Sequence, residues 1–352
     1  MKRRNFIQKS SLTVAMGALG IQQAFSSNHR TIASPEVIKP KALKLGDTIG
    51  LITPASAVSR SAFEKTLENI DRLGFKAVYS DNIRVKRGFL AGTDEQRLAD
   101  IHAMFANDQV DGIVCARGGY GTGRLLSEID YSIIKANPKV LIGYSDITAL
   151  LYGIYQQTGL VCFHGPVGAS NFTDFTTDGF NEVLMNKTKG TVIARPKTWE
   201  EKGATYDTYT ITPGSARGKL IGGNLSLVVS LIGTPHDIDF TDKIVFIEEI
   251  GESSYRVDRM LTQLLQSGKL EKARGIALGI FNDCDYEEED QSYPSSISLR
   301  EVLEDRLEDL GIPVMYGLPF GHIADNATLP FGIEAELDAS NHTLTLLESG
   351  VS

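Results

Sequence analysis

Residues 140–148 have the sequence VLIGYSDIT, and this stretch indicates the class of fold. It begins with the apolar run Val140–Gly143, which is typical of a buried strand. Apolar side chains at helical spacing follow, and they predict a helix from Ile147 to Gln157. A strand that turns directly into a helix is the repeating unit of a parallel sheet. The turn between them lifts the hydroxyl of Ser145 out of the carboxyl edge of that sheet.

The same alternation of strands and helices begins near residue 44 and continues to about residue 175. It predicts an N-terminal α/β domain over 44–175 with a parallel, Rossmann-like (flavodoxin-like) sheet, in which ligands bind beyond the carboxyl ends of the strands. Residues 171–178, rich in Thr, Asp and Phe, are expected to form a loop. The predicted strands are 48–54, 76–79, 112–116 and 140–143, and the predicted helices are 61–73, 94–105 and 147–157.

The pattern changes after about residue 170. A connecting segment over 176–214 leads into a predicted C-terminal α+β domain over 215–350, and residues 190–220 predict short strands and turns. The remaining predicted strands are 243–248, 276–281, 314–318, 333–337 and 343–347, and the remaining predicted helices are 225–233, 254–268 and 297–310.

Residues 1–26 predict an export signal that takes no part in the fold. Paired arginines, Arg3 and Arg4, precede an apolar run from Leu12 to Ile21, and two small residues, Ala24 and Ser26, follow two positions apart. The arginine pair resembles a twin-arginine signal, and an ordinary secretory signal is the alternative. Both predict delivery to the periplasm. Residues 27–43, which are polar and contain two prolines, are a predicted linker.

The composition argues against several classes of partner. The chain carries 35 Lys and Arg residues against 44 Asp and Glu residues, a net charge of −9. Such a balance excludes a nucleic acid or an anionic membrane held by a broad positive field. The sequence shows no further candidate membrane span. It also shows no metal-binding motif and no dinucleotide-binding fingerprint, so we expect no metal and no cofactor. Cys115, Cys162 and Cys284 are too few and too widely spaced for a disulfide framework, and we expect them to be buried.

Ser145 is the candidate nucleophile, because a tight strand-to-helix turn exposes its hydroxyl and places the next backbone N–H at a helix N-terminus. The second glycine of the hydrolase elbow is missing, since Thr148 stands beyond its position. Serine is also a preferred helix cap, and that structural role stays open.

Glu248 is the candidate acid. It ends the apolar run Ile244–Ile247, and period-two alternation places it on the face of Ile244 and Phe246, opposite Glu249. A carboxylate leaving an apolar strand rarely lacks a partner. Glu249 and Glu252 compete for the same role, because alternation does not determine which acid points inward.

His322 is the candidate base, since it follows Gly321 shortly after the predicted strand 314–318 and precedes a predicted loop. A histidine in a loop is more often structural than catalytic unless a partner is identified. His164, within the segment 163–166, is the competing candidate.

A glycine-rich turn over 117–121 follows the strand 112–116. Paired glycines let backbone N–H groups approach an anion closely, which favours an oxyanion contact from Gly118 and Gly119. The alternative is a turn that serves chain geometry alone.

In this order the motifs resemble the LD-carboxypeptidases, the serine peptidase family S66 that includes muramoyltetrapeptide carboxypeptidase. The similarity extends over most of the chain beyond the signal. The matching segments are 50–56, 90–97, 116–121, 143–148, 222–225, 246–249 with Tyr255, Asp258 and Arg259, and 321–322.

The resemblance implies a triad in which Ser145 attacks, His322 carries the proton and Glu248 orients His322. It also implies that backbone N–H groups of Gly118, Gly119 and Asp146 hold the oxyanion. The implied activity is release of the terminal D-alanine from murein tetrapeptides, without a metal. The family further implies a small barrel-like sheet in the C-terminal domain and a homodimer.

Three alternatives remain. A branch of the family cleaves peptidyl-nucleotide antibiotics, a related amidase or esterase would use the same triad, and a periplasmic binding protein would bind ligand without turnover. A substrate carboxylate would need a cation, for which Arg117, Arg256 and Arg259 are candidates.

Overall fold

Two β-sheets organise the part of the chain that the computed structural model describes, residues 36–285 and 297–352. The predicted signal over 1–26 and the first part of the predicted linker, 27–35, lie outside these residues. The strands are β1 (Thr48–Ile52), β2 (Lys76–Tyr79), β3 (Gly112–Cys115), β4 (Val140–Gly143), β5 (Phe163–His164), β6 (Thr191–Ala194), β7 (Tyr209–Thr212), β8 (Ser215–Asn224), β9 (Lys243–Ile250), β10 (Gly275–Asn282), β11 (Val314–Gly321), β12 (Leu329–Pro330), β13 (Glu334–Asp338) and β14 (Thr343–Leu346). The α-helices are α1 (Arg60–Arg72), α2 (Asp94–Ala106), α3 (Tyr131–Ala136), α4 (Ile147–Thr158), α5 (Asp174–Leu184), α6 (Leu225–Ser230), α7 (Ser254–Gln266) and α8 (Leu299–Leu307).

The first sheet has six strands in the order β12-β5-β4-β3-β1-β2. The strands β1 to β5 pair in parallel, as the alternation of strands and helices predicts. Strand β12 comes from the C-terminal half of the chain and pairs antiparallel with β5 at the edge. The parallel order therefore brings the carboxyl ends of β3 and β4 side by side.

Short polar side chains begin several helices. The side chain of Ser59 accepts a hydrogen bond from the amide of Ala62 at the start of α1, at 3.2 Å. Thr173 accepts one from the amide of Thr176 at 3.3 Å and begins α5. The loop predicted over 171–178 is therefore wrong, because its Thr and Asp residues form a helix cap and the first helical turn.

The second sheet has eight strands in the order β6-β14-β13-β8-β9-β10-β11-β7. Its centre, β8 to β11, is parallel, and the flanking strands pair antiparallel. Among the described residues the hydrogen-bonded order ends at β6 and β7. The structure therefore shows a mixed sheet of parallel and antiparallel strands, and not a closed barrel. The predicted division at 176–214 stays a prediction.

Contacts between the two sheets position the residues that follow their strands. The amide of Asn224, at the end of β8, donates to the hydroxyl of Thr148 on α4 at 3.1 Å. Near the chain end, the amide of Ser352 donates to the carbonyl of Pro40 at 2.8 Å. The contact of Asn224 with Thr148 joins the helix after Ser145 to the sheet that carries Glu248.

Candidate active site

Ser145 lies in the turn between β4 and α4, at the carboxyl edge of the first sheet. Its φ angle is 65°, in the left-handed region that residues other than glycine rarely adopt. The amide of Thr148 donates to the carbonyl of Ser145 at 2.9 Å and joins this turn to the helix. Backbone strain of this kind costs about 1–3 kcal/mol and concentrates at functional sites. Lys187, Asp242, Asp283 and His342 also have a positive φ, but Ser145 combines it with a position at the carboxyl edge of the parallel sheet, which supports a functional role.

Ser145 does not cap α4 through its side chain, because among the described residues its hydroxyl accepts no hydrogen bond from the first amides of the helix, and the residue directly before α4 is Asp146. The carboxylate of Asp146 makes no capping hydrogen bond and instead accepts one from the last residue of the glycine-rich turn and one from the residue after it. The amide of Gly121 donates to it at 3.1 Å and the amide of Thr122 at 2.8 Å. Asp146 thus ties the turn after β3 to the turn that carries Ser145.

The glycine-rich turn lies directly against Ser145. A Cβ atom on Gly118 would stand 2.8 Å from the Cβ of Ser145, so only glycine fits there. Gly119 has a φ of 113°, which also favours glycine. Within residues 36–285 and 297–352, the backbone N–H groups of Gly118, Gly119 and Asp146 have no hydrogen-bond acceptor. These groups can therefore bind an anion without breaking an existing bond.

Glu248 and His322 form a hydrogen-bonded ion pair. The ring Nδ1 of His322 lies 2.7 Å from Oε2 of Glu248, which is fully buried on β9. His322 follows Gly321, the last residue of β11, whose added Cβ would stand 3.0 Å from the Cβ of Glu248. When the ring is neutral, a carboxylate on Nδ1 makes that nitrogen the donor and leaves Nε2 as the acceptor. This is the tautomer that a general base needs.

The pKa values of Glu248 and His322 are shifted more by the attraction between the two groups than by burial. Burial lowers the pKa of His322, but the charge of Glu248 and the hydrogen bond to it raise this pKa above its ordinary value. Burial raises the pKa of Glu248, but the charge of His322 and the same bond hold this pKa below its ordinary value. The pair is therefore charged between these two pKa values.

The competing acids have other partners. Oε2 of Glu249 accepts from the amide and the hydroxyl of Ser226 at 2.8 and 2.7 Å, and its Oε1 accepts from the side chain of Asn224 at 2.8 Å. Glu252 pairs with Arg256 at 3.2 Å, one helical turn away. Glu248 and Glu249 thus bind different partners, as expected when period-two alternation directs neighbouring side chains of β9 to opposite faces.

His164, the competing base, is fully buried on β5. Its ring packs against Phe246 with centroids 5.3 Å apart and against Tyr144 at 6.0 Å, and neither ring nitrogen has a hydrogen-bond partner among the described residues. Burial lowers the pKa of His164 to about 4. His164 is therefore a neutral core residue next to the pair of Glu248 and His322. The ring of Tyr144 packs against both histidines, with its centroid 4.8 Å from that of His322.

A cavity of about 430 Å³ opens beside His322. Apart from Tyr144, which lies in the matching segment 143–148, the polar side chains in its wall come from separate elements and share no sequence motif. The residues that line it with His322 include Lys65, Tyr144, Ser170, Asn171, Tyr206 and Asn282.

The three arginines proposed as carboxylate ligands do not line this cavity. Arg117 donates to the carbonyl of Ala57 at 3.1 Å, and Arg256 is paired with Glu252. Arg259 lies over the ring of Tyr255. The cation that the cavity does contain is Lys65.

The structure does not join every member of the predicted triad. Among the described residues, no hydrogen bond connects the hydroxyl of Ser145 with Nε2 of His322. Hydrogen bonds between a nucleophile and its base are often long without substrate and tighten in the complex. The described residues also contain no group of three or more His, Cys, Asp or Glu that could hold a metal ion, and all three cysteines are buried.

Comparison with known proteins identifies the family. A model of the LD-carboxypeptidase N-terminal domain matches residues 49–165, and a model of the C-terminal domain matches residues 217–337. The chain belongs to the LD-carboxypeptidase family of serine-type peptidases. The matched segments include Ser145, Glu248 and His322, together with the glycine-rich turn.

Similar proteins span nearly the whole chain. A probable murein peptide carboxypeptidase of Bacillus subtilis is 40% identical and covers 89% of this chain and 95% of its own. The murein tetrapeptide carboxypeptidase of Pseudomonas aeruginosa is 31% identical, covering 83% of this chain and 93% of its own. The microcin C7 self-immunity protein MccF of Escherichia coli is 30% identical, with 92% of this chain and 98% of its own covered.

Solved structures confirm the fold of this family member. MccF in complex with glutamyl sulfamoyl guanosine superposes with a TM-score of 0.79 at 27% identity, over 89% of this chain and 99% of its own. A muramoyltetrapeptide carboxypeptidase from Oxalobacter formigenes superposes with a TM-score of 0.72 at 29% identity, over 85% of this chain and 97% of its own.

Proposed function

We propose that this family member is a serine carboxypeptidase that releases the C-terminal D-alanine from murein tetrapeptides by cleaving an L,D-peptide bond. The observation that carries the proposal is the buried pair of Glu248 and His322, 2.7 Å apart, near the strained turn of Ser145. Two similar proteins bear the names murein peptide and murein tetrapeptide carboxypeptidase, which supports the substrate.

The chemistry follows from the roles of the three side chains. Nε2 of His322 accepts the proton of Ser145 as the hydroxyl oxygen attacks the scissile carbonyl. The tetrahedral oxyanion binds the N–H groups of Gly118, Gly119 and Asp146, each worth about 3–4 kcal/mol by analogy with other oxyanion donors. His322 then gives its proton to the amine of D-alanine, the peptide bond breaks, and an acyl-serine remains. Water activated by His322 hydrolyses that ester.

Glu248 contributes by stabilising the imidazolium that forms during both steps. Because it is fully buried, its charge acts on His322 through a medium of low dielectric constant. It also holds the ring in one orientation, so that Nε2 is the nitrogen directed away from the carboxylate.

Incubation with a disaccharide tetrapeptide, followed by mass spectrometry, tests the proposal. We expect the wild-type protein to remove one alanine and Ser145→Ala to remove none while keeping its circular dichroism spectrum. Ser61→Ala, which removes an exposed serine hydroxyl from α1, is the matched control and should retain full activity. A peptide ending in L-alanine should persist. Turnover by Ser145→Ala would exclude Ser145 as the nucleophile.

A second candidate substrate is a peptidyl nucleotide, favoured by the similarity to MccF. Tyr206 in the cavity wall is an aromatic ring that a nucleobase could contact. Trp199 is fully buried, and its ring N–H donates to Asp325 at 2.6 Å, so it offers no free face to a base. Hydrolysis of an aminoacyl-nucleotide analogue without D-alanine release would favour this alternative.

Export to the periplasm and a homodimer also belong to the proposal. The described residues contain no helix long and apolar enough to cross a membrane. Cell fractionation of the full chain and of a variant with Arg3→Lys and Arg4→Lys tests twin-arginine export, which predicts retention of the variant in the cytoplasm. Analytical ultracentrifugation tests the dimer, and a monomer at micromolar concentration would contradict it.

A further inference from the structure

Lys65 lines the cavity beside His322 and is the one lysine or arginine among the described residues that form its wall. Its Nζ donates to the side-chain oxygen of Asn171 at 2.5 Å. Among the described residues it has no carboxylate partner, and no Asp or Glu lines the cavity. The lysine therefore brings a positive charge to this wall that no acidic side chain neutralises.

The position of Lys65 is determined by contacts of its helix. On α1, Asn69 donates to the carbonyls of Gly168 and Ser170 at 2.8 and 3.0 Å. A Cβ on Gly168 would stand 2.4 Å from the methyl group of Thr66, so the helix lies tightly against this segment. Lys65 thus projects from a fixed helix over a fixed loop, and its charge is positioned before any ligand arrives.

A carboxypeptidase must recognise the free carboxylate at the end of its substrate. An ammonium group forms charge-assisted hydrogen bonds with a carboxylate, and these contribute more than bonds between neutral groups. A cavity of about 430 Å³ is of the size that holds a small peptide end. Further hydrogen-bonding groups in the same wall come from Ser170, Asn171 and Asn282.

We infer that Lys65, positioned by Asn171, forms the subsite that binds the terminal carboxylate of the peptide and thereby gives the enzyme its preference for a free C-terminus. This inference rests on the proposed function and names the group that the cation contacts. The arginines considered from the sequence are engaged elsewhere, so Lys65 replaces them in this role.

The test compares a tetrapeptide with its C-terminal amide. We expect the wild-type protein to prefer the free acid in kcat/KM, and Lys65→Met to reduce kcat/KM for the acid about 10- to 100-fold, with little change for the amide. Lys65→Arg should keep a preference for the acid. Lys76→Met, which removes an exposed lysine from β2, controls for the loss of one charge and should leave both substrates unaffected.

A structural role of Lys65 would give a different result. If the lysine only joins α1 to the loop at Asn171, Lys65→Met should lower the melting temperature and change the two substrates equally. Equal losses for acid and amide would overturn the inference.

Binding measurements separate this inference from the proposed function. In the Ser145→Ala background, calorimetry should show tighter binding of the acid than of the amide, and Lys65→Met should remove the difference. A wild-type protein without D-alanine release would refute the proposed function, and the calorimetric difference would still support the subsite. Equal dissociation constants for acid and amide, or no binding of the acid, would overturn the subsite whatever the turnover.

Discussion

Replacing Glu248 by Gln should lower the pKa of His322 and slow the reaction. The substitution keeps the shape of the side chain and removes the charge that lies 2.7 Å from Nδ1 of His322. In the wild-type protein, burial lowers this pKa and the charge of Glu248 raises it further than burial lowers it. With the charge removed, burial should dominate, and the pKa of His322 should fall below its ordinary value.

The distance sets the scale of the effect on rate. Two unit charges 2.7 Å apart in a medium of dielectric constant about 20 attract by about 6 kcal/mol, which is a ceiling for the stabilisation of the imidazolium. At about 1.4 kcal/mol for each factor of ten, this ceiling corresponds to about four orders of magnitude. We expect kcat to fall by about 10²- to 10⁴-fold, because the amide can still accept a hydrogen bond.

The assay is kcat/KM for D-alanine release as a function of pH. Activity needs neutral Nε2, so in the wild-type protein it should rise as pH passes the elevated pKa of His322, above about 6.5. In Glu248→Gln this rise should move to lower pH while the plateau falls. Glu252→Gln, which removes the carboxylate that pairs with Arg256, is the matched control and should leave the profile in place.

Unfolding measurements give an independent readout of the same pair. The stabilisation from Glu248 should be lost as pH falls through its lowered pKa, and that from His322 as pH rises through its raised pKa. Urea titrations should show both losses in the wild-type protein, and both should be smaller in Glu248→Gln, in which only the other titratable groups contribute. A rise of activity at unchanged or higher pH in this variant would refute the assigned pairing.

Three further substitutions test the turns and the second acid. Ser145→Gly should abolish activity yet raise the stability by about 1 kcal/mol, since glycine adopts the φ of 65° without strain; a melting temperature below that of Ser145→Ala would contradict this. Gly118→Ala should lower kcat at least 100-fold, because its methyl group would stand 2.8 Å from the Cβ of Ser145, and steady-state kinetics with normal turnover would exclude the close contact. Glu249→Gln should destabilise the protein by about 2 kcal/mol in urea titrations, because the oxygen that accepts two bonds from Ser226 becomes an amide donor or is turned away. An unchanged urea midpoint would show that these two bonds do not stabilise the fold.

Several local features follow from the sequence because they depend on neighbours a few positions away. The apolar run 140–143 and the helical spacing after it predict β4 and α4 at their observed places. Alternation along Ile244–Ile247 places Glu248 on the face opposite Glu249, and the strand confirms it. The helix α5 was missed because its opening Thr and Asp residues also suit a loop, and only its capped first turn distinguishes them.

Sequence alone determined the strand-to-helix unit around Ser145, the parallel first sheet and the family, because periodicity and motif order are properties of the chain itself. Tertiary structure decided which histidine meets Glu248 and which cation enters the cavity. His164 and His322 both follow apolar runs, but only His322 reaches the carboxylate, 74 positions away along the chain. Lys65 carries no local signal, since its place beside His322 depends on the packing of α1 against the segment around Gly168. Contacts between residues so far apart in the chain depend on how separate helices and strands pack together, and patterns of neighbouring residues do not determine that packing.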